Sequence, residues 1–182
     1  MKKTAILLYP EFSEYELTTA LSILMQGGKP ITFISLTKDS VRGEAGLVSL
    51  PELAWNEVNY EEYDSLLLTG CTDIQEVAKS DDYIRFIKDI SSQEGFVIAS
   101  ISSSPFLLAK AGVLKGKKYT VGMYEEDRKA SPYFEEENFV GELVVEDGNL
   151  ITAWGSAFIE WGVTFGKALN LEFEAAWYGK RN

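Results

Sequence analysis

Residues 96–108, FVIASISSSPFLL, decide how this chain is read. The run from Phe96 to Ile101 is short and apolar, which suits a strand buried on both faces. It breaks at Ser102, Ser103 and Ser104, and Pro105 then opens an apolar-periodic segment. Proline fits a first helical position because the N–H it lacks would have no intrahelical partner there. The chain is therefore expected to turn sharply from strand to helix with Ser102 at the corner. That is the layout of a nucleophile elbow, in which a tight turn lifts one side chain above the sheet. The helix that follows is expected to aim its free N–H groups and positive dipole end back at the corner.

Working outward, the same alternation recurs. Upstream, Thr4 to Tyr9 reads as a strand, and Ser13 with Glu16 has the spacing of a capping box. The helix it opens carries Leu17, Ala20, Leu21 and Leu24 on one face and stops at Gly27 and Gly28. Ile31 to Leu36 is a second strand, Gly43 to Ser49 an irregular strand or hairpin, and Leu53 to Glu57 a short excursion. Ser65 to Thr69 is a buried strand ending at Gly70 and Cys71. A helix capped by Ser80 or Asp81 then turns Tyr83, Ile84, Phe86, Ile87 and Ile90 inward.

Downstream, the elbow helix is expected to reach Gly112, with a strand over Lys117 to Val121 and a mobile acidic loop over Tyr124 to Asn138. Phe139 to Val145 and Leu150 to Ala153 flank Asp147 and Gly148, a hairpin signal, and a last helix covers Ala157 to Leu169. Strands alternating with helices indicate one α/β domain over residues 1–182, with a mostly parallel sheet covered on both faces and an added antiparallel hairpin. In such sheets ligands bind beyond the carboxyl ends of the strands. The turns at Pro10 to Glu16, Gly70 to Thr72, Ser102 to Pro105 and Gly155 to Ser156 are expected there.

Composition narrows the function. A net charge of -11 argues against nucleic acid and anionic membranes, which need a basic footprint. No stretch approaches the roughly 18 apolar residues of a membrane span. The single cysteine, Cys71, rules out an internal disulfide and suits a reducing cytoplasm. The acidic cluster around Glu125, Glu126, Glu135, Glu136 and Glu137 reads as a solvated face, with no second cluster to complete a metal cage. No metal or cofactor is expected.

Four segments in order, YPEFSEYEL, LLLTGC, ASISSSPFLLAKAGVLKGKKYT and DGNLITAWGSAFIEWG, resemble the ThiJ/PfpI family of the class I glutamine amidotransferase-like superfamily. The resemblance covers nearly the whole chain and implies a flavodoxin-like three-layer α/β/α sandwich, a homodimer, and amidase, peptidase, deglycase or glyoxalase chemistry. It places the family's reactive cysteine on Ser102, the glycine two residues later on Ser104, the family acid on Glu16, and the oxyanion glycine pair on Gly70 and Cys71. Many members carry a histidine near the position of Thr120 to Met123; this chain has no histidine.

Those departures shape the expected chemistry. A cysteine at a helix N-terminus ionises near neutral pH, whereas a serine hydroxyl needs a base within hydrogen-bond reach, most often histidine. Glu16 could serve only if burial raised its pKa strongly. Lys110 lies about two helical turns from Ser102 and is not beside it. The leading expectation is a catalytically degenerate small-molecule-binding or stress-related module, with Gly70, Cys71, Ser103 and Gly155 lining the pocket. The alternatives are a divergent hydrolase using Ser102 with Glu16, and a thiol activity at Cys71 with a depressed pKa.

Overall fold

A computed structural model describes residues 1–179 of the chain. The first half contains β1 (Lys3–Leu7), α1 (Glu14–Gln26), β2 (Ile31–Ser35), β3 (Val41–Arg42), β4 (Val48–Ser49), β5 (Leu53–Ala54) and β6 (Tyr63–Leu68). There follow α2 (Ile74–Val77), α3 (Asp81–Ile90), β7 (Val97–Ile101), α4 (Pro105–Lys110) and α5 (Glu125–Ala130). The chain continues through β8 (Val144–Asp147), β9 (Leu150–Ala153) and α6 (Phe158–Ala168).

Seven strands form the main sheet in the order β5-β2-β1-β6-β7-β9-β8, while β3 and β4 make a separate two-stranded hairpin. Every pairing in the main sheet is parallel except that of β8 with β9. The inner strands are apolar without alternation because helices cover both their faces. Right-handed crossovers decide which helix goes where. The β1–α1–β2 unit runs one way across the sheet and β6–α3–β7 the other, so α1 and α3 fall on opposite faces. Accordingly α6 packs on α1, and α4 packs on α3. The run β2-β1-β6-β7-β9 is the flavodoxin order, whose direction reverses between β1 and β6.

Several expectations change. Lys117 to Val121 is not a strand: only an isolated bridge joins Tyr119 to Phe139. The β8–β9 hairpin occupies the sheet edge beside β7, so the segment runs along it, tied through the Thr120 N–H to Thr152 Oγ1 at 2.9 Å. The acidic stretch 124–138 carries α5 rather than a bare loop. Buried Arg128 anchors it, donating to Glu136 at 2.8 and 3.0 Å and stacking 3.5 Å above the Phe139 ring. Leu53 and Ala54 pair with β2 and extend the main sheet. Pairing of Asp147 with Leu150 makes Gly148 and Asn149 the turn, one residue beyond Asp147–Gly148, with Gly148 at φ 65°. The elbow helix α4 has only six residues, too few for a macrodipole of the expected strength.

Candidate functional site

The carboxyl ends of β1, β6, β7 and β9 bring the expected turns together. Ser102 sits at the corner after β7 with φ 61°, left-handed backbone that a serine rarely adopts. Two backbone bonds hold it there: Ser102 N–H donates to Ala153 O at 2.8 Å, and Gly122 N–H donates to Ser102 O at 2.7 Å. A Cβ on Gly122 would lie 3.2 Å from Ser102 Cα, so the strand exit is clamped from both sides. The strain is of the order of 1–2 kcal/mol, tolerated because its surroundings over-determine the turn.

Glu16 reaches the corner from the first turn of α1 and is almost wholly buried. Its Oε2 accepts from Gly70 N–H at 2.6 Å, and its Oε1 accepts from the Tyr15 hydroxyl at 3.2 Å. The expected capping box is absent: Ser13 supplies no side-chain cap, and its N–H donates to Gly70 O at 2.9 Å. Glu16 turns inward because Gly70, at the end of β6, offers a better-placed amide than the helix terminus does.

Burial pushes the Glu16 carboxyl up to about 7, opposed by the Gly70 amide, the Tyr15 phenol and the Ser102 hydroxyl, each of which favours the ionised form. The strong raising by burial that a base here would need is therefore present.

Two glycines let this cluster pack closely. A Cβ on Gly70 would fall 2.7 Å from both Cβ and Oγ of Ser102 and 3.2 Å from Glu16 Oε2. A Cβ on Gly155, just beyond β9, would fall 2.9 Å from Glu16 Oε1, 3.1 Å from the Tyr15 hydroxyl and 3.2 Å from Ser102 Oγ. The side chains of Ser102, Glu16 and Tyr15 thus converge on one small polar notch.

The other expected residues play supporting parts. Ser103 Oγ accepts from Cys71 N–H at 3.3 Å. Ser104 is fully buried; its Oγ accepts from Ile101 N–H at 3.0 Å and lies 2.7 Å from Ser100 Oγ and 3.1 Å from Leu68 O. It knots the turn and takes no part in the notch. Cys71 does not have a depressed pKa. Burial, with Asp73, Glu11 and Glu44 nearby, pushes its thiol up to about 12, against the thiol-based alternative. Lys110 points away and donates to Ala78 O at 2.6 Å.

Tyr15 is a further member of the cluster that no motif or spacing in the sequence points to. Adjacent helical side chains do not normally face each other, so spacing carried no signal for it. Beside the notch, along the ends of β1 and β2, lies a cavity of about 620 Å³ walled by Glu11, Thr37, Arg42, Thr72 and Tyr83.

The model of the DJ-1/PfpI family matches residues 2–168. The chain belongs to the DJ-1/PfpI family. It is 28% identical over 145 residues to the deglycase PfpI of Pyrococcus furiosus, an alignment covering 79% of this chain and 84% of the relative. Drosophila melanogaster DJ-1beta superposes with a TM-score of 0.81 at 25% identity, over 98% of this chain and 96% of that one. A DJ-1 superfamily protein from Agrobacterium tumefaciens gives a TM-score of 0.85 at 24% identity, covering 98% and 95%. The DJ-1/PfpI assignment agrees with the flavodoxin-like strand order already described. No helix among the described residues is long and apolar enough to cross a membrane.

Proposed function

We propose that this DJ-1/PfpI protein binds a small, neutral, hydroxyl- or carbonyl-bearing metabolite in the Ser102 notch without turning it over. The occupied amides around the corner carry the reading. Gly70 N–H is taken by Glu16 and Cys71 N–H by Ser103, so a tetrahedral oxyanion would have to displace bonds already made. Loss of one oxyanion donor typically costs on the order of 10²–10³ in rate. The chain also has no imidazole to activate the hydroxyl. What the notch offers is recognition: a serine hydroxyl that can donate to a carbonyl, and a carboxyl, held by the Tyr15 phenol and the Gly70 amide, that can accept from a hydroxyl or donate when protonated. The setting we propose is a cytoplasmic homodimer; a single monomeric species in sedimentation would remove the dimer from it.

Hydroxyacetone is a suitable probe. Titrated into ¹⁵N-labelled protein, it is expected to shift the Gly70, Ser103 and Gly155 amide signals saturably and to be recovered unchanged. Ser102→Ala should weaken binding about two- to ten-fold, the worth of one hydrogen bond, and Ser102→Leu should abolish the shifts. Recovery of a chemically altered probe would end the noncatalytic reading.

One observation favours a second reading, hydrolysis with Ser102 as nucleophile. Burial raises the Glu16 carboxyl to about 7, where a general base should titrate, and the Ser102 hydroxyl favours its ionised form. In that case Glu16 takes the Ser102 proton as Oγ attacks an ester or amide carbonyl. A fluorophosphonate adduct on Ser102, seen by intact mass and lost in Glu16→Gln, is the result that selects it.

A further inference from the structure

We propose that Tyr15 is a positioning residue of the elbow site: its phenol holds Glu16 Oε1 while Gly70 holds Oε2, fixing the carboxyl plane across Ser102. The inference rests on the reading of the notch as the binding site, and it concerns a residue that no motif singled out. Both oxygens of the carboxyl are engaged, at 2.6 Å by Gly70 and at 3.2 Å by Tyr15, so its terminal torsion is no longer free. A terminal sp³–sp² torsion of this kind is otherwise broad, and only hydrogen bonds can narrow it.

Tyr15 is itself held at two points. Its ring meets Phe158, the first residue of α6, edge-to-face at 5.2 Å and 88°. Its hydroxyl lies beside Gly155, where an added Cβ would sit 3.1 Å from it and 2.9 Å from Glu16 Oε1. The Tyr15 side chain is half exposed, and the ring contact, which ties the start of α1 to the start of α6, sets the direction of its hydroxyl. Burial and the Glu16 charge both raise the Tyr15 pKa, which keeps the phenol a donor throughout the neutral range. With Tyr15 in place the ionised carboxyl stays turned toward Ser102; without it Oε1 loses the Tyr15 hydrogen bond.

The test needs no ligand, because Gly70 N–H is bonded to Glu16 Oε2 and its amide shift reports the protonation of that carboxyl. Other groups act on the pair and must be followed as well: Glu44 from the β3–β4 hairpin raises both Glu16 and Tyr15, and Tyr9 and Cys71 lie within electrostatic reach. In the wild type the Gly70 signal should titrate with a midpoint near 7, and Glu16→Gln should remove the inflection. Tyr15→Phe keeps the ring on Phe158 and removes only the hydroxyl; its midpoint should rise by about half a pH unit or more. Tyr15→Leu should raise it similarly.

The hydroxyacetone dissociation constant should weaken about two- to ten-fold in Tyr15→Phe, the worth of one hydrogen bond. A Gly70 midpoint that stays put or falls in both variants overturns the positioning role, even if hydroxyacetone binds. A rise in both, with no hydroxyacetone binding to any form, leaves the positioning role standing and removes the binding reading instead.

Discussion

The two ends of the sheet treat buried charge in opposite ways. At the amino end, Lys29 is buried and paired with Asp64 at 2.6 and 2.7 Å, and Asp64 also accepts from Ser65 Oγ at 2.9 Å. At the carboxyl end Glu16 is buried more deeply, yet its partners are an amide, a phenol and a hydroxyl, with no cation among them. A buried charge facing its counter-ion is held in that state, because losing either partner strands the other. A buried carboxyl bonded to neutral dipoles, with no cation beside it, has its pKa raised toward neutral pH and can respond to whatever enters. The first arrangement suits a scaffold; the second suits a site.

The largest expected effect follows from Glu16. Its folded pKa of about 7 lies above the ordinary value of 4.5, so the folded state keeps a proton that the unfolded chain releases. The stabilisation is complete below pH 4.5 and is lost as pH climbs to about 7, flattening above that. At 1.36 kcal/mol per unit the loss is about 3 kcal/mol. Urea denaturation at pH 5 and pH 8 checks it: Glu16→Gln should lose less stability than the wild type across that interval by roughly this amount. Equal losses in the two proteins would erase the contrast between the two ends.

Next in size is the ion pair. Asp64→Ala leaves the Lys29 ammonium buried and alone, and should cost about 2 kcal/mol, less than a fully enclosed pair because the Asp64 side of the bridge meets water. Replacing both residues by apolar ones of similar volume should recover much of that loss. The smallest effect concerns backbone strain at the corner. Ser102→Gly removes the cost of φ 61°, and the variant should be about 1 kcal/mol more stable to denaturant. Lower stability in that variant would mean that the serine side chain holds the corner in place.

Much of this could be read along the chain. The elbow was legible because a buried strand, three serines and a proline in sequence leave a sharp strand-to-helix turn as the natural solution. That the turns at Pro10 to Glu16, Gly70 to Thr72 and Gly155 to Ser156 lie beyond the strand ends followed from the alternation, whereas Glu16 as the acid of the corner came from the family resemblance. Lys117 to Val121 misled because local apolar pattern does not say whether a sheet edge is free. The segment 124–138 misled because its anchor, Arg128, bonds Glu136 eight residues away and stacks on Phe139. The thiol of Cys71 and the carboxyl of Glu16 both moved up because burial outweighs nearby dipoles, and burial is a property of the assembled layers.

By itself, then, the order of apolar runs and turn residues determined the α/β architecture and which loops meet above the sheet. It also settled that the corner carries a serine hydroxyl and that the chain has no histidine. Only the tertiary structure decided that Glu16 leaves its own helix terminus for Gly70, that the Tyr15 hydroxyl reaches its other oxygen, and that burial raises the carboxyl to about 7. Those outcomes depend on distances between segments more than fifty residues apart and on water excluded from between them, and neither is written in local sequence.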